Sequence, residues 1–200
     1  MKKAAMLILF ILSVCSVANS QKISIITWSS HIADSLRNAG VDTMLYYNEV
    51  CGECSVAILP KDSLTKAGVG CDVKESYTQL ANIFLYRQRG RYYSLEFNCQ
   101  YPMIKRALGA CLSIPYALTI IKILNARDAW FKKRRKLKYF FLPPIVTDVA
   151  QYAATIRAGK LRQEANISAD QQGEYHYLWK RYFWIDPQIK LFRLIHQDLK

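Results

Sequence analysis

Histidine is scarce in this chain: three in 200 residues, His31, His176 and His196, none at a ligand spacing such as His-x-x-x-His. There is no G-x-S-x-G, no phosphate-binding loop and no G-x-G-x-x-G, so neither a nucleophile elbow nor a nucleotide cradle is encoded. Acidic residues are few, 15 against 28 Lys and Arg, which leaves a formal charge of +13. Asp72, Glu75 and Glu96 have no spacing that marks them as an acid pair, and solvated surface carboxylates account for them. No repeat with a period of tens of residues and no low-complexity tract is present. These absences leave no catalytic residue, cofactor or metal set to nominate, and they favour a non-enzymatic protein.

What is present begins with an address. Lys2 and Lys3 precede an apolar run over residues 4–14, and Ala18-Asn19-Ser20 supplies small residues for cleavage. This is the pattern of a bacterial secretory signal over residues 1–20, with a core too short to span a membrane comfortably. A lipoprotein cleavage before Cys15 is disfavoured because Val14 is bulky. The expected product is exported to the periplasm, the cell envelope or the medium. It starts at Gln21 and reads as one domain over residues 21–200, with a possible subdivision near Pro143-Pro144. A chain that is 52% hydrophobic and 22% charged folds into a globule.

The charge is unevenly placed. Residues 21–100 carry 8 Lys and Arg against 8 Asp and Glu, whereas residues 101–200 carry 18 against 7. Lys132, Lys133, Arg134, Arg135 and Lys136 are consecutive. Five adjacent cations cannot all be buried, because unpaired ammonium groups resist desolvation. With the apolar strip 139–142 that follows, they form a candidate site for an anionic membrane surface or an acidic polymer; a solvated turn is the competing reading. No specific nucleic-acid motif accompanies them.

Local patterns predict an α+β fold: a small antiparallel sheet with a hairpin at 83–97, followed by a basic helical region. Residues 29–40 (SSHIADSLRNAG) read as a short amphipathic helix capped by Ser29 or Ser30 and closed by Gly40. Residues 41–47 alternate as a strand. Residues 83–87 and 91–97 are rich in β-formers and flank Gln88-Arg89-Gly90, with Tyr93, Leu95 and Phe97 on one face of the return strand and polar residues on the other. The run 107–121 is apolar for fifteen residues, short of the about twenty that cross a bilayer. With Pro115 inside it, it reads as a buried helix pair. Residues 147–164 look helical. Residues 175–183 are aromatic and basic, with Tyr175, Trp179 and Tyr182 fitting one core-facing side. Asp186-Pro187 opens a last helix lined by Ile189, Phe192, Ile195 and Leu199. Asn166-Ile167-Ser168 matches a glycosylation sequon, which has meaning only in a eukaryotic secretory pathway.

After residue 20 the cysteines are Cys51, Cys54, Cys71, Cys99 and Cys111. In an exported chain the first four are disulfide candidates, because an oxidising compartment pairs exposed thiols. Four cysteines allow three pairings. A redox Cys51-x-x-Cys54 needs a thiolate favoured by a cation or a helix N-terminus, but Glu49 and Glu53 flank it. A zinc site would need Cys71 and Cys99, far apart in sequence, as its second half. Cys111 reads as a buried free thiol. The stretch VDTMLYY, CGEC, a third Cys and IFLYRQRGRYYSLEFNC, over residues 41–99, resembles small exported proteins of unknown function from Bacteroidetes. That resemblance implies export and a cysteine-tied core, and no reaction. The expectation is therefore an exported, disulfide-containing envelope or binding protein. The alternatives are a thiol–disulfide oxidoreductase using Cys51 and Cys54, and a membrane-associated accessory protein held by residues 107–121.

Overall fold

The computed structural model describes residues 25–50, 79–97, 103–134, 142–143 and 149–200. The signal sequence, Cys51, Cys54, Cys71, Cys99, Asp72, Glu75, Arg135 and Lys136 lie outside the described residues.

The first helix, α1 (Ile25–Asn38), starts earlier than its serines suggest. Ile25, Trp28, Ile32, Ala33 and Leu36 fall in one helical phase and pack together, so burial extends the helix back past Ser29 and Ser30. Those two hydroxyls do not cap; both donate to the Ile26 carbonyl from inside the helix, at 2.8 and 3.1 Å. The other end closes as the sequence predicts. Gly40 has φ +82°, its N–H bonds the Arg37 carbonyl at 2.9 Å, and the Val41 N–H bonds the Leu36 carbonyl at 3.0 Å. This is a Schellman closure, with Val41 and Leu36 in the same apolar cluster.

Six strands follow: β1 (Thr43–Val50), β2 (Gln79–Gln88), β3 (Arg91–Glu96), β4 (Ile104–Leu108), β5 (Gln151–Ala158) and β6 (Leu161–Ser168). They form one antiparallel sheet in the order β4-β3-β2-β1-β5-β6, so the fold is α+β. The hairpin turns on Arg89 and Gly90, at φ +50° and +78°. Two positive φ values make a type I′ turn, whose twist matches the strands it joins. The register places Arg87 opposite Tyr92 and Ile83 opposite Glu96.

Three expectations are corrected. Residues 147–164 were expected to be helical, but β5 and β6 form a hairpin there, turning at Gly159 with φ +57°. Ala and Gln favour helix, but by only tenths of a kcal/mol per residue, and pairing with β1 along the whole length of β5 overrides that preference. The run 107–121 is not a helix pair: Ala107 and Leu108 end β4, and one helix, α2 (Ser113–Arg134), follows. Pro115 sits in its first turn, where the missing N–H has no partner to lose. The return strand packs Tyr93, Leu95 and Phe97 on the α1 side as expected, but its second face is not solvated, since Tyr92 packs against the core there. Met44, Phe84, Tyr86 and Phe97 pack under α1, whereas Leu45, Tyr47, Ile83 and Leu85 pack under α2 and the last helix, α5 (Ile185–Asp198). Strands covered on both sides read as continuous apolar runs, and on β3 even Ser94 is buried.

α2 and α5 lie together on one side of the sheet, with Ile114, Ala117, Ile120, Leu124, Ile189 and Phe192 in one core. The apolar run 107–121 therefore contributes to the core, and among the described residues no helix is long and apolar enough to cross a membrane. Leu199 caps α5 and packs against the same cluster. Edge strand β4 is five residues long and carries exposed Lys105 and Arg106, devices that discourage edge-to-edge pairing.

Candidate functional site

The last turn of α2 holds Lys132, Lys133 and Arg134, all exposed. Three cations there complement the partial negative charge of the helix C-terminus. One turn earlier, Arg127 anchors the helix: its guanidinium donates to Asp128 Oδ1, to the Gln188 side-chain oxygen at 3.1 Å and to the Glu164 carbonyl at 2.8 Å. Gln188, fully buried on α5, also accepts the Asn166 N–H at 2.9 Å. This clamp joins α2, α5 and β6 and fixes where the basic end of α2 stands.

The aromatic run reaches the same place by a series of short turns. Ser168 caps α3 (Ala169–Gln172) with a reciprocal box, accepting from the Gln171 N–H while its own N–H donates to the Gln171 side chain. Then come α4 (His176–Trp179) and the entry to α5. Trp179 is buried and Tyr175 and Tyr182 pack against the core, as the core reading of this run predicts, and Trp184 is buried beside them. The Trp130 ring of α2 meets Trp184 at 4.9 Å and Tyr182 at 5.8 Å, and Phe131 meets Trp184 at 5.3 Å. The Arg134 guanidinium lies 5.3 Å over Trp130, and that of Arg181 lies 5.2 Å over Tyr182. Phe183, 51% exposed, stacks edge-on against Trp184.

Two stretches some fifty residues apart in sequence therefore make one patch: a floor of rings, a half-exposed phenylalanine, and the cations Lys132, Lys133, Arg134, Lys180 and Arg181. None of the five makes an ion pair among the described residues. The nearby carboxylates are engaged elsewhere, Asp128 with Arg127 and Asp186 with His176, at 2.8 and 2.9 Å. Lys180 and Arg181 were read as part of an aromatic core wall; that they extend the basic cluster was missed because only tertiary packing brings the two segments together.

The remaining nominees stand apart. His31 is exposed on α1, and Glu96 pairs with Arg106 at 3.8 Å. Among the described residues no cluster of three His, Cys, Asp or Glu side chains is placed to hold a metal. Cys111 is a buried free thiol. Burial pushes its acidity down, and the Asp198 carboxylate opposes the thiolate further.

Two arrangements escaped the sequence reading. The buried Tyr47 hydroxyl donates to Glu49 at 2.8 Å and lies 2.8 Å from His196 Nε2. A hydroxyl has one proton, so Nε2 carries the hydrogen that completes this chain. Burial and the Glu49 charge hold the Tyr47 phenol far above its usual range. These bonds tie β1 to α5. On the opposite face of the sheet a groove of about 300 Å³ runs between α1 and β5. There Tyr46 donates to Asn82 at 2.7 Å, and burial pushes its phenol up to about 12. The alternation in 151–157 and Gly159 were the available signals for the hairpin that forms this groove.

Comparison of the chain with protein-family models, with curated proteins and with solved structures finds no match.

Proposed function

We propose that this is an exported, non-enzymatic envelope protein that docks peripherally on an anionic membrane surface through the aromatic–basic patch. The observation that carries this reading is the union of Lys132, Lys133 and Arg134 with Lys180 and Arg181 on one ring cluster, none of them in an ion pair among the described residues. A cation held near an anionic leaflet contributes about 1 kcal/mol. Five give on the order of 5 kcal/mol before the loss of motional freedom is charged against them. Aromatic rings suit the headgroup layer, where an apolar body and a polar edge are both satisfied, and Phe183 is the ring best placed to enter it. Export rests on the leader and on the resemblance over residues 41–99.

Co-sedimentation with vesicles tests the reading. Binding to vesicles of phosphatidylglycerol, with little to phosphatidylcholine, is expected, fading as salt rises. Lys133→Gln combined with Arg134→Gln and Arg181→Gln is expected to weaken it at least tenfold. Absence of binding at low salt, or full binding by the triple variant, refutes it. A preference for a soluble acidic polysaccharide over the vesicles assigns the patch to a different partner and also refutes it.

A further inference from the structure

The groove between α1 and β5 carries a charge arrangement that the fold itself does not require. Arg157 on β5 stands directly across from Arg162 on β6, on the same face. Like charges placed directly opposite across a strand pair are destabilising. Arg162 is compensated by Glu164 at 2.9 Å, and Arg37 of α1 by Asp34 at 3.8 Å. Arg157 is half-buried and makes no hydrogen bond or ion pair among the described residues. Burial and the Arg162 charge disfavour its ionised form, with Asp34 opposing them and Arg37 adding to them.

The rest of the groove has a second character. Its floor follows Ala153, Thr155 and Arg157, alternate residues of one strand. That floor spans on the order of 13 Å, the length of a short acyl chain. Ile26, Val50 and Phe84 supply apolar walls, and Ile26, 68% exposed on the lip, has no place in the core. Ser29, Ser30 and Asn48 line the groove with polar groups. One end is thus cationic and the body mainly apolar. A guanidinium binds a carboxylate through two parallel N–H bonds, and it does so best where water is partly excluded.

We infer that this groove binds a monoanionic amphiphile, a carboxylate with a short apolar tail, its head on Arg157 beside Arg162 and its tail along Ile26, Val50 and Phe84. The site lies on the opposite side of the sheet from the aromatic–basic patch and stands independently of it.

Calorimetric titration of the full chain with octanoate, 1-octanol and inorganic phosphate tests the assignment. Octanoate is expected to bind at least tenfold more tightly than 1-octanol, which has the same number of carbons without the charge. Arg157→Gln is expected to remove that difference, Arg157→Lys to keep part of it, and phosphate not to displace octanoate at equal concentration. Ala153→Leu, which keeps the arginine and fills the floor, is expected to abolish octanoate binding, so the inference remains testable if Arg157→Gln does not fold. Equal affinity for octanoate and octanol, undiminished binding by folded Arg157→Gln or Ala153→Leu, or displacement by phosphate overturns it.

Discussion

Asp198, the last residue of α5, caps a helix that begins 85 residues before it. Its carboxylate accepts the Leu112 N–H at 2.9 Å and the Ser113 N–H at 2.8 Å, and it receives the Cys111 thiol at 3.3 Å. Replacing it with alanine removes three effects. The cap itself is worth about 1 kcal/mol. The charge at the positive end of α2 adds about 0.5 kcal/mol. Leu112 is exposed and regains water, but Ser113 is fully buried, and its stranded N–H costs about 1 kcal/mol more. The loss of about 2–3 kcal/mol corresponds to a fall of about 5–10 °C in melting temperature for a chain of this size. Asp198→Asn keeps an acceptor and loses the charge, worth about 0.5 kcal/mol, so about a fifth of that fall is expected. Circular dichroism melts give the number, and the native-state reaction of Cys111 with a thiol reagent gives an independent one. That reaction should accelerate in Asp198→Ala as the first turn of α2 loosens. A variant melting within about 1 °C of the parent, well inside the expected shift, refutes the capping account.

Gly90→Val is expected to lower stability by about 1–2 kcal/mol, because a β-branched residue resists positive φ. A Cβ at Gly90 meets nothing within 4 Å, so the penalty is in the backbone alone, and Gly90→Asn should recover most of it in the same melt. Thiol titration of denatured, unreduced protein lacking residues 1–20 is expected to count fewer than the five cysteines that remain, through pairing among Cys51, Cys54, Cys71 and Cys99. A count of all five overturns the disulfide expectation.

The legible parts of the molecule were those whose cause is local. Gly40 and Gly90 mark positions where only a residue without a Cβ sits comfortably at positive φ, and the structure places a helix end and a hairpin turn there. α5 was readable because Ile189, Phe192 and Ile195 repeat at helical spacing whatever they pack against. β5 was misread as helix despite the alternation in 151–157. Its Ala, Gln, Thr and Arg residues carry a weak local preference, and the free edge of β1 decides their conformation through a full ladder of hydrogen bonds.

Local residue patterns were enough for the α+β class, the hairpin, the last helix, the core placement of Trp179, and the exposure of Lys132, Lys133 and Arg134. Tertiary structure alone decided that Asp198 caps a distant helix, that Arg157 faces Arg162 across a groove, and that residues 130–134 meet residues 180–184. The reason is the range of the forces. Backbone sterics and helical periodicity act within a few residues. A carboxylate finds its N–H groups, or an arginine its neighbouring ring, only after burial of the apolar faces has fixed α2, α5 and the sheet against one another.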